Sequence, residues 1–268
     1  MSYPTLRLHP RKEESVLRFH PWIFSGAIAT FSAPVEDGDL VSVVDSKGRP
    51  LGTGHFGGGS IAVRLLSFDA EEVIDRAFYK RRLEAALRLR LSCDLVRPVG
   101  FSDSPNTTYR LVHGEGDSLP GLIIDIYYRT AVVQAHSLGM HQARQTIAEV
   151  LWEVFAEAGD PVLSLEGIYY KSETTLPTRD MRELASDGFL IGHTEAAPIY
   201  ENGVRFTPDW LKGQKTGFFI DQRDNRALVA HYAKGRTVLN AFCYTGGFSI
   251  YALHAGAKRV DSLDSSAK

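Results

Sequence analysis

Apolar and polar positions alternate at a period of two in Leu40-Val41-Ser42-Val43-Val44-Asp45, and Ser46-Lys47-Gly48-Arg49-Pro50 then turns the chain. A second turn, Gly57-Gly58-Gly59-Ser60, precedes Ile61-Ala62-Val63-Arg64-Leu65-Leu66. Runs of this kind between glycine and proline punctuation predict short strands. Several of them within the first seventy residues predict a small β-barrel. Over 71–91 the period lengthens to that of a helix. Ile74, Phe78, Ala85 and Leu89 share one face and Leu83 and Leu87 the other, so the helix is expected to lie between two layers.

Residues 121–126 and 130–134 read as paired strands, and 163–170 as another. Between them Ile147, Val150, Leu151, Val154, Phe155 and Ala158 form an i, i+3, i+4 stripe that Gly159 closes, the mark of an amphipathic helix. Strands flanking a helix without a long βαβ repeat predict a compact α+β unit. Ile199-Tyr200-Glu201 and Val204-Arg205-Phe206 flank Asn202-Gly203, the preferred type I′ hairpin turn, expected to connect domains. Beyond Lys212 the pattern becomes helix 222–233, strand 237–242, turn 243–246, helix 247–255 and strand 259–263, with Asp264 at its tip.

Composition narrows the class. The 268 residues leave room for two or three domains, and 44% hydrophobic with 23% charged residues argues for packed cores,. Thirty Lys and Arg against 32 Asp and Glu give a net charge of −2, which excludes a generally basic coat but not a local basic face. Cys93 and Cys243 are the only cysteines, too few for a disulfide framework and in keeping with a reducing cytosol. The amino terminus lacks a signal-peptide core, and no apolar run approaches the ~20 residues of a membrane span. A cytoplasmic protein with no membrane partner is expected. Asn106-Thr107-Thr108 reads as loop chemistry rather than a glycosylation site. Nine scattered histidines show no H-E-x-x-H spacing, so no metal is implied, and no G-x-S-x-G elbow occurs.

A glycine-bearing turn after a first strand, with an acid closing the next strand, is where doubly wound folds hold nucleotide cofactors. Asn240 and Asp264 are 24 positions apart by their numbers, near the ~20 expected for an acid that receives ribose hydroxyls. The turn Asn240-Ala241-Phe242-Cys243-Tyr244-Thr245-Gly246-Gly247-Phe248 is not G-x-G-x-x-G, and no G-x-x-x-x-G-K-[ST] loop occurs. A pyrophosphate therefore has no glycine-lined cradle. A nucleoside cofactor without phosphates fits better, which favours S-adenosylmethionine over NAD or ATP.

Lys215-Thr216-Gly217-Phe218-Phe219-Ile220-Asp221-Gln222-Arg223-Asp224-Asn225-Arg226, followed by 238–248, closely resembles the ribosomal large-subunit methyltransferase I family. His20-Pro21-Trp22-Ile23-Phe24-Ser25-Gly26 with Asp37-Gly38-Asp39 resembles that family's amino-terminal PUA domain. Tyr109-Arg110-Leu111-Val112, then Glu115, Asp117 and Leu119-Pro120-Gly121-Leu122-Ile123-Ile124-Asp125, resembles its central signature. The resemblance covers essentially the whole chain. It implies a multidomain α+β and α/β protein: a PUA-like barrel over 1–70, a connecting helix over 71–97 and a central α+β domain over 98–197. A linking β-hairpin over 198–210 and the first, incomplete part of a Rossmann-like class I methyltransferase domain over 211–268 would follow.

The implied activity is S-adenosylmethionine-dependent methylation of C5 of a cytosine in 23S ribosomal RNA. By the same resemblance, Asn240, Phe242, Tyr244, Thr245 and Gly246 would line the methionine and adenosine parts of the cofactor. Asp264 would take the ribose, and Asp221, Gln222 and Arg223 would close the pocket. From the residues alone, Phe242 and Phe248 read as packed aromatics, Gly246 as a strand terminator, and Gln222 and Arg223 as helix-start residues. Arg76, Lys80, Arg81, Arg82, Arg88 and Arg90 fit either a solvated connecting helix or one that faces RNA,.

The chain departs from the family at Gly57-Gly58-Gly59, where a bulkier, more polar hairpin tip is expected, and in length, since the family continues to a Pro-Pro motif and a catalytic cysteine. Catalytic residues are expected after Lys268. Cytosine C5 becomes nucleophilic only after a thiolate attacks C6. Cys243 sits in the cofactor turn without a His partner and Cys93 near a helix end, so neither is the expected nucleophile. Methylation of another RNA base, a non-catalytic RNA-binding module and, less well supported, an NAD-linked oxidoreductase are the competing readings. A homodimer is left open.

Overall fold

The computed structural model describes residues 3–96, 105–159, 163–177 and 186–265. Its contacts group into two compact units, Met1–Val96 with Tyr109–Ala197, and Arg97–Thr108 with Pro198–Lys268.

The first unit opens with β1 (Thr5–Leu8), α1 (Glu14–Leu17), β2 (Trp22–Phe24), β3 (Ile28–Phe31), β4 (Leu40–Val44), β5 (Pro50–Phe56) and β6 (Ile61–Ser67). They form one six-stranded sheet in the order β2-β6-β5-β4-β1-β3, antiparallel apart from the parallel β1–β4 pair. The alternation read in 40–44 puts Val41 and Val43 in a core with Leu6, Leu8, Ile23, Val63 and Leu65. At Gly54 the backbones of β5 and β6 approach so closely that a Cβ would overlap the Arg64 carbonyl, and glycine is the residue that permits this.

Helix α2 (Arg76–Ser92) begins later than the apolar pattern suggested, because Asp75 caps it by accepting the Phe78 amide at 2.9 Å,. It buries a single face: Phe78, Tyr79, Leu83, Ala86, Leu87 and Arg90. Leu89 is 51% exposed, which corrects the two-faced reading. The helix does not need apolar cover on both sides because its cations provide the other contacts. Arg76 and Lys80 bridge to Glu149, Glu153 and Glu157 of α4 (Arg144–Glu157), after the short α3 (Leu138–Gln142). Arg81 and Arg82 reach Glu72, Arg88 reaches Glu84, and Arg90 is buried against Asp117. All six cations read from the sequence therefore have carboxylate partners in the fold.

Five strands complete the unit in the order β11-β10-β9-β8-β7: β7 (Thr108–His113), β8 (Leu122–Tyr127), β9 (Thr130–Ala135), β10 (Gly167–Tyr170) and β11 (Gly188–Gly192). The expected stripe on α4 is buried at Ile147, Val150, Leu151, Val154 and Phe155, packed with Ile124, Ile126 and Val133 of the sheet. Leu163 and Leu165 are buried, yet pairing starts only at Gly167, opposite Thr130, where its neighbour β9 begins. Cys93 caps α2 and is exposed rather than packed.

The second unit contains the hairpin β12 (Ile199–Glu201) and β13 (Val204–Phe206), α5 (Arg223–Ala233), β14 (Thr237–Ala241), α6 (Gly247–His254) and β15 (Arg259–Leu263). Asn202 and Gly203 take φ of +49° and +80°, the left-handed pair of a type I′ turn. Asn106 is buried, its side-chain oxygen accepting the Asn202 amide at 2.7 Å, which is the loop chemistry read from the sequon. β14 and β15 are parallel, in register from Thr237↔Arg259 to Ala241↔Leu263. Among the described residues no helix is long and apolar enough to cross a membrane, and no cluster of three metal-ligating side chains forms.

His55 on β5 packs flush against α3 at Gly139, where any Cβ would enter the imidazole ring. It is 6% exposed, and burial, followed by the Arg64 charge, pushes its pKa down from 6.5 to about 4. The unfolded chain takes up this proton below about pH 6.5, whereas the folded chain resists until near pH 4. Stability present above pH 6.5 is thus lost as pH falls through that window, by about 2 kcal/mol at pH 5. Urea unfolding at pH 7 and pH 5 should show a smaller loss in His55→Leu than in wild type, the remainder coming from His136 and His141, whose pKa values burial also lowers. Equal losses in both proteins would contradict it.

Candidate functional site

The second unit is organised around a buried carboxylate. Glu201, at the end of β12, is fully buried and accepts Arg226 Nε and Nη2 at 2.7 Å each. The Tyr251 hydroxyl of α6 donates to it at 3.0 Å, and burial, then Glu201, pushes that hydroxyl's pKa up. Arg223 stands 3.7 Å away and donates to the Thr108 carbonyl. Arg226 also donates to the Phe219 carbonyl at 3.0 Å and lies over the Phe218 ring at 4.5 Å. One carboxylate thus fixes the hairpin, α5, α6 and the segment before α5.

That segment, 209–219, is folded tightly. Lys212 N–H donates to Asp209 Oδ1, Gly213 N–H to the Asp209 carbonyl and Gly217 N–H to the Gln214 carbonyl. A Cβ on Gly217 (φ +119°) would stand 2.8 Å from Asp209 O, and one on Gly213 would stand 3.1 Å from the Tyr244 hydroxyl. Across from it lies the turn after β14, where Phe242, Tyr244 and Gly246 take φ of +59°, +51° and +78°. Left-handed aromatics are strained, and such strain clusters at ligand sites. The turn is tied down at several points. Cys243 N–H donates to the Leu263 carbonyl at 3.1 Å and Tyr244 N–H to Asp264 Oδ2 at 2.8 Å. The Tyr244 hydroxyl accepts the Gln214 amide at 3.0 Å, and its ring meets Phe219 edge-on at 5.2 Å.

Between segment and turn lies a cleft of about 1070 Å³, roomy for a nucleoside-sized ligand. Asp221, Gln222, Phe242, Tyr244, Thr245 and Asp264, all named from the sequence, line it. Three others do not. Arg223 is turned inward to Thr108 and Glu201, Asn240 donates to Ser249 Oγ at 2.8 Å, and Gly246 is the left-handed residue preceding α6. Each has a structural partner or backbone role that takes it off the wall. Phe242 is 89% exposed, so the packed-aromatic reading fails for it: the left-handed turn leaves its ring open to solvent at the cleft. Lys215, Phe218, Phe219 and Arg226 also line the cleft. The two glycines at 213 and 217 were the available sign that backbone here closes on something.

Residues 6–68 match the model of a PUA-like domain, and 177–268 that of an S-adenosylmethionine-dependent methyltransferase. A protein of Shewanella amazonensis curated as ribosomal RNA large subunit methyltransferase I is 40% identical over 262 residues, 97% of this chain. One of Shewanella denitrificans with the same name is 40% identical over 267 residues, 98% of this chain. The chain is similar in sequence to these methyltransferases over nearly its whole length. It spans 62% and 63% of their lengths. A candidate S-adenosylmethionine-dependent methyltransferase structure from Streptococcus mutans superposes with a TM-score of 0.79 at 23% identity, over all of this chain and 64% of that one. A candidate methyltransferase structure complexed with S-adenosylhomocysteine gives the same TM-score over 63% of its chain. At that identity the likeness establishes the fold, and in that fold the cleft follows the first strand of the parallel pair.

Removing one member of a buried ion pair strands the other, typically at a cost of about 3–5 kcal/mol. Glu201→Ala should destabilise the chain by about that amount in denaturant unfolding, and Glu201→Leu with Arg226→Leu should recover much of it. A double variant as unstable as the single would place the stability elsewhere.

Proposed function

We propose that the cleft binds S-adenosylmethionine and that the protein methylates C5 of a cytosine in 23S ribosomal RNA in the cytoplasm. The observation that carries the cofactor reading is the Asp264 carboxylate at the tip of β15, held by the Tyr244 amide on the wall of the cleft. An ionised acceptor there suits a pair of ribose hydroxyls. The exposed Phe242 ring and the Phe219 ring offer apolar faces for the adenine,. Asp221 offers a counter-charge for the amino group of the methionine portion. When bound, S-adenosylmethionine supplies an activated methyl group. The residues of this chain hold it, orient it and shield it from water. The RNA reading is supported by the relatives' name and by the PUA-like match over 6–68.

Attack on cytosine C6 needs a thiolate close to the base. Cys243 lies in the cofactor turn, its Sγ 3.8 Å from the Tyr244 carbonyl, and Cys93 ends α2. We assign the nucleophile's role to neither.

Titration calorimetry with S-adenosylhomocysteine should show binding by the 268-residue chain, and Asp264→Ala should weaken it by about 1.5–3 kcal/mol. NAD should not bind. Unchanged affinity in a folded Asp264→Ala variant would remove Asp264 from the site. In transfer of a labelled methyl group to unmodified large-subunit RNA, Cys243→Ala should behave as the wild-type chain does. Loss of turnover confined to that variant would return Cys243 to consideration as the nucleophile.

A further inference from the structure

Helix α1 ends in a Schellman turn. Phe19 N–H donates to the Val16 carbonyl at 2.9 Å and His20 N–H to the Ser15 carbonyl at 3.0 Å, the two bonds that define the motif. The residue following the cap is then left-handed, and glycine is the usual occupant because a Cβ is crowded there. In this chain the position belongs to Phe19, at φ +61°. A bulky residue in such a place is normally compensated by burial, yet Phe19 is 74% exposed. Its one ring contact is edge-on to Phe68, with centroids 5.3 Å apart. Fold stability does not account for an aromatic that is both strained and held out in solvent.

A second observation, independent of the first, lies on the neighbouring strand. Trp22 pairs with Arg64 across β2 and β6. Arg64 is half-buried, and no carboxylate among the described residues comes within ion-pair distance of it. Glu115 acts on it only electrostatically, its Oε1 being taken by the Trp22 indole N–H at 2.7 Å. A partly desolvated cation without a bonded anion is unfavourable until an anion completes it. Between Phe19 and Trp22, His20 is exposed and meets the Trp22 ring edge-on at 5.7 Å. Arg18 beside Phe19 is exposed, its Nε donating to the Glu14 carbonyl at 3.3 Å and its charge pairing with the Glu14 carboxylate at 4.0 Å. Glu13 and Glu14 make the start of α1 unfavourable for a polyanion, which leaves the Phe19–Trp22 side as the open one.

An exposed aromatic face on the segment leading into β2, with a partly buried guanidinium on the neighbouring β6, suits a single-stranded segment, one of whose bases stacks while a phosphate takes the cation. We propose that Phe19 stacks on a base and Arg64 contacts a phosphate of a single-stranded RNA segment. This rests on RNA being the substrate, as argued above.

The test is fluorescence anisotropy of the 268-residue chain with a labelled single-stranded RNA of about a dozen nucleotides, a length within the usual range of such sites. The same RNA annealed to its complement serves as control. Phe19→Leu keeps the apolar contact with Phe68 and removes the stacking plane. It should unfold at the wild-type denaturant concentration and bind the single strand about tenfold more weakly. Phe19→Trp should bind as wild type. Phe19→Gly relieves the strained turn and should lose affinity like the leucine variant while keeping its stability. Arg64→Gln should bind more weakly and lower the slope of log affinity against log salt by about one. Wild-type affinity in Phe19→Leu, with lowered stability in Phe19→Gly, would overturn the proposal and make Phe19 a packing residue. Failure of the wild-type chain to bind either RNA would overturn the RNA reading along with it.

Discussion

The cofactor unit depends on one buried charge. Glu201 sits at the end of a three-residue strand, too short to hold anything by pairing alone, and it is completely out of water. A lone carboxylate there would be intolerable. It is stable because Arg226 grips both oxygens and Tyr251 donates a third bond. Those partners come from different helices, so meeting the needs of one side chain sets the positions of hairpin, α5 and α6 together. Arg226 then passes the constraint on to the Phe219 carbonyl and the Phe218 ring, which belong to the wall of the cleft. The architecture of the cleft therefore begins with the hydrogen-bonding requirement of a carboxylate that does not itself line it.

This explains why only part of the segment 221–226 faces the cleft. Asp221 and Gln222 face the cleft, whereas Arg223 is turned inward to Thr108 and Glu201. Three residues read from the sequence as cofactor contacts do not line the cleft and have structural partners instead. Arg223 is drawn to buried oxygens, Asn240 to Ser249, and Gly246 to the conformation that starts α6. A sequence motif records what must be present, and it does not separate a side chain that touches a ligand from one that holds its neighbour in place.

Much of the fold was legible. Period-two runs gave β4 and β6, the stripe on α4 gave its buried face, and Asn202-Gly203 gave the type I′ hairpin. The strand–turn–helix–strand unit ending on Asp264 was readable because glycine, apolar runs and the closing acid each mark one boundary. What was not legible depended on long-range pairing. Helix α2 looked two-faced until its cations met Glu149, Glu153 and Glu157, some seventy positions away. The outward Phe242 and the left-handed Phe19 were hidden for a different reason: backbone φ at a non-glycine residue leaves no compositional trace.

Left-handed non-glycine residues occur at several turns, Tyr128 among them, and three of the aromatic ones lie where function is assigned. Phe242 and Tyr244 are left-handed in the turn over the cleft, and Phe19 is left-handed on the surface of the sheet. Both are aromatic positions that a purely structural design would fill with glycine. The central claim, that the strained turn and the segment facing it form one cofactor site, is tested most directly by hydrogen exchange with and without S-adenosylhomocysteine. Ligand should slow amide exchange together in 213–222 and 242–246, with little change in the six-stranded sheet of the first unit. Protection confined to the first unit, or absent from 242–246 while ligand is bound, would contradict it.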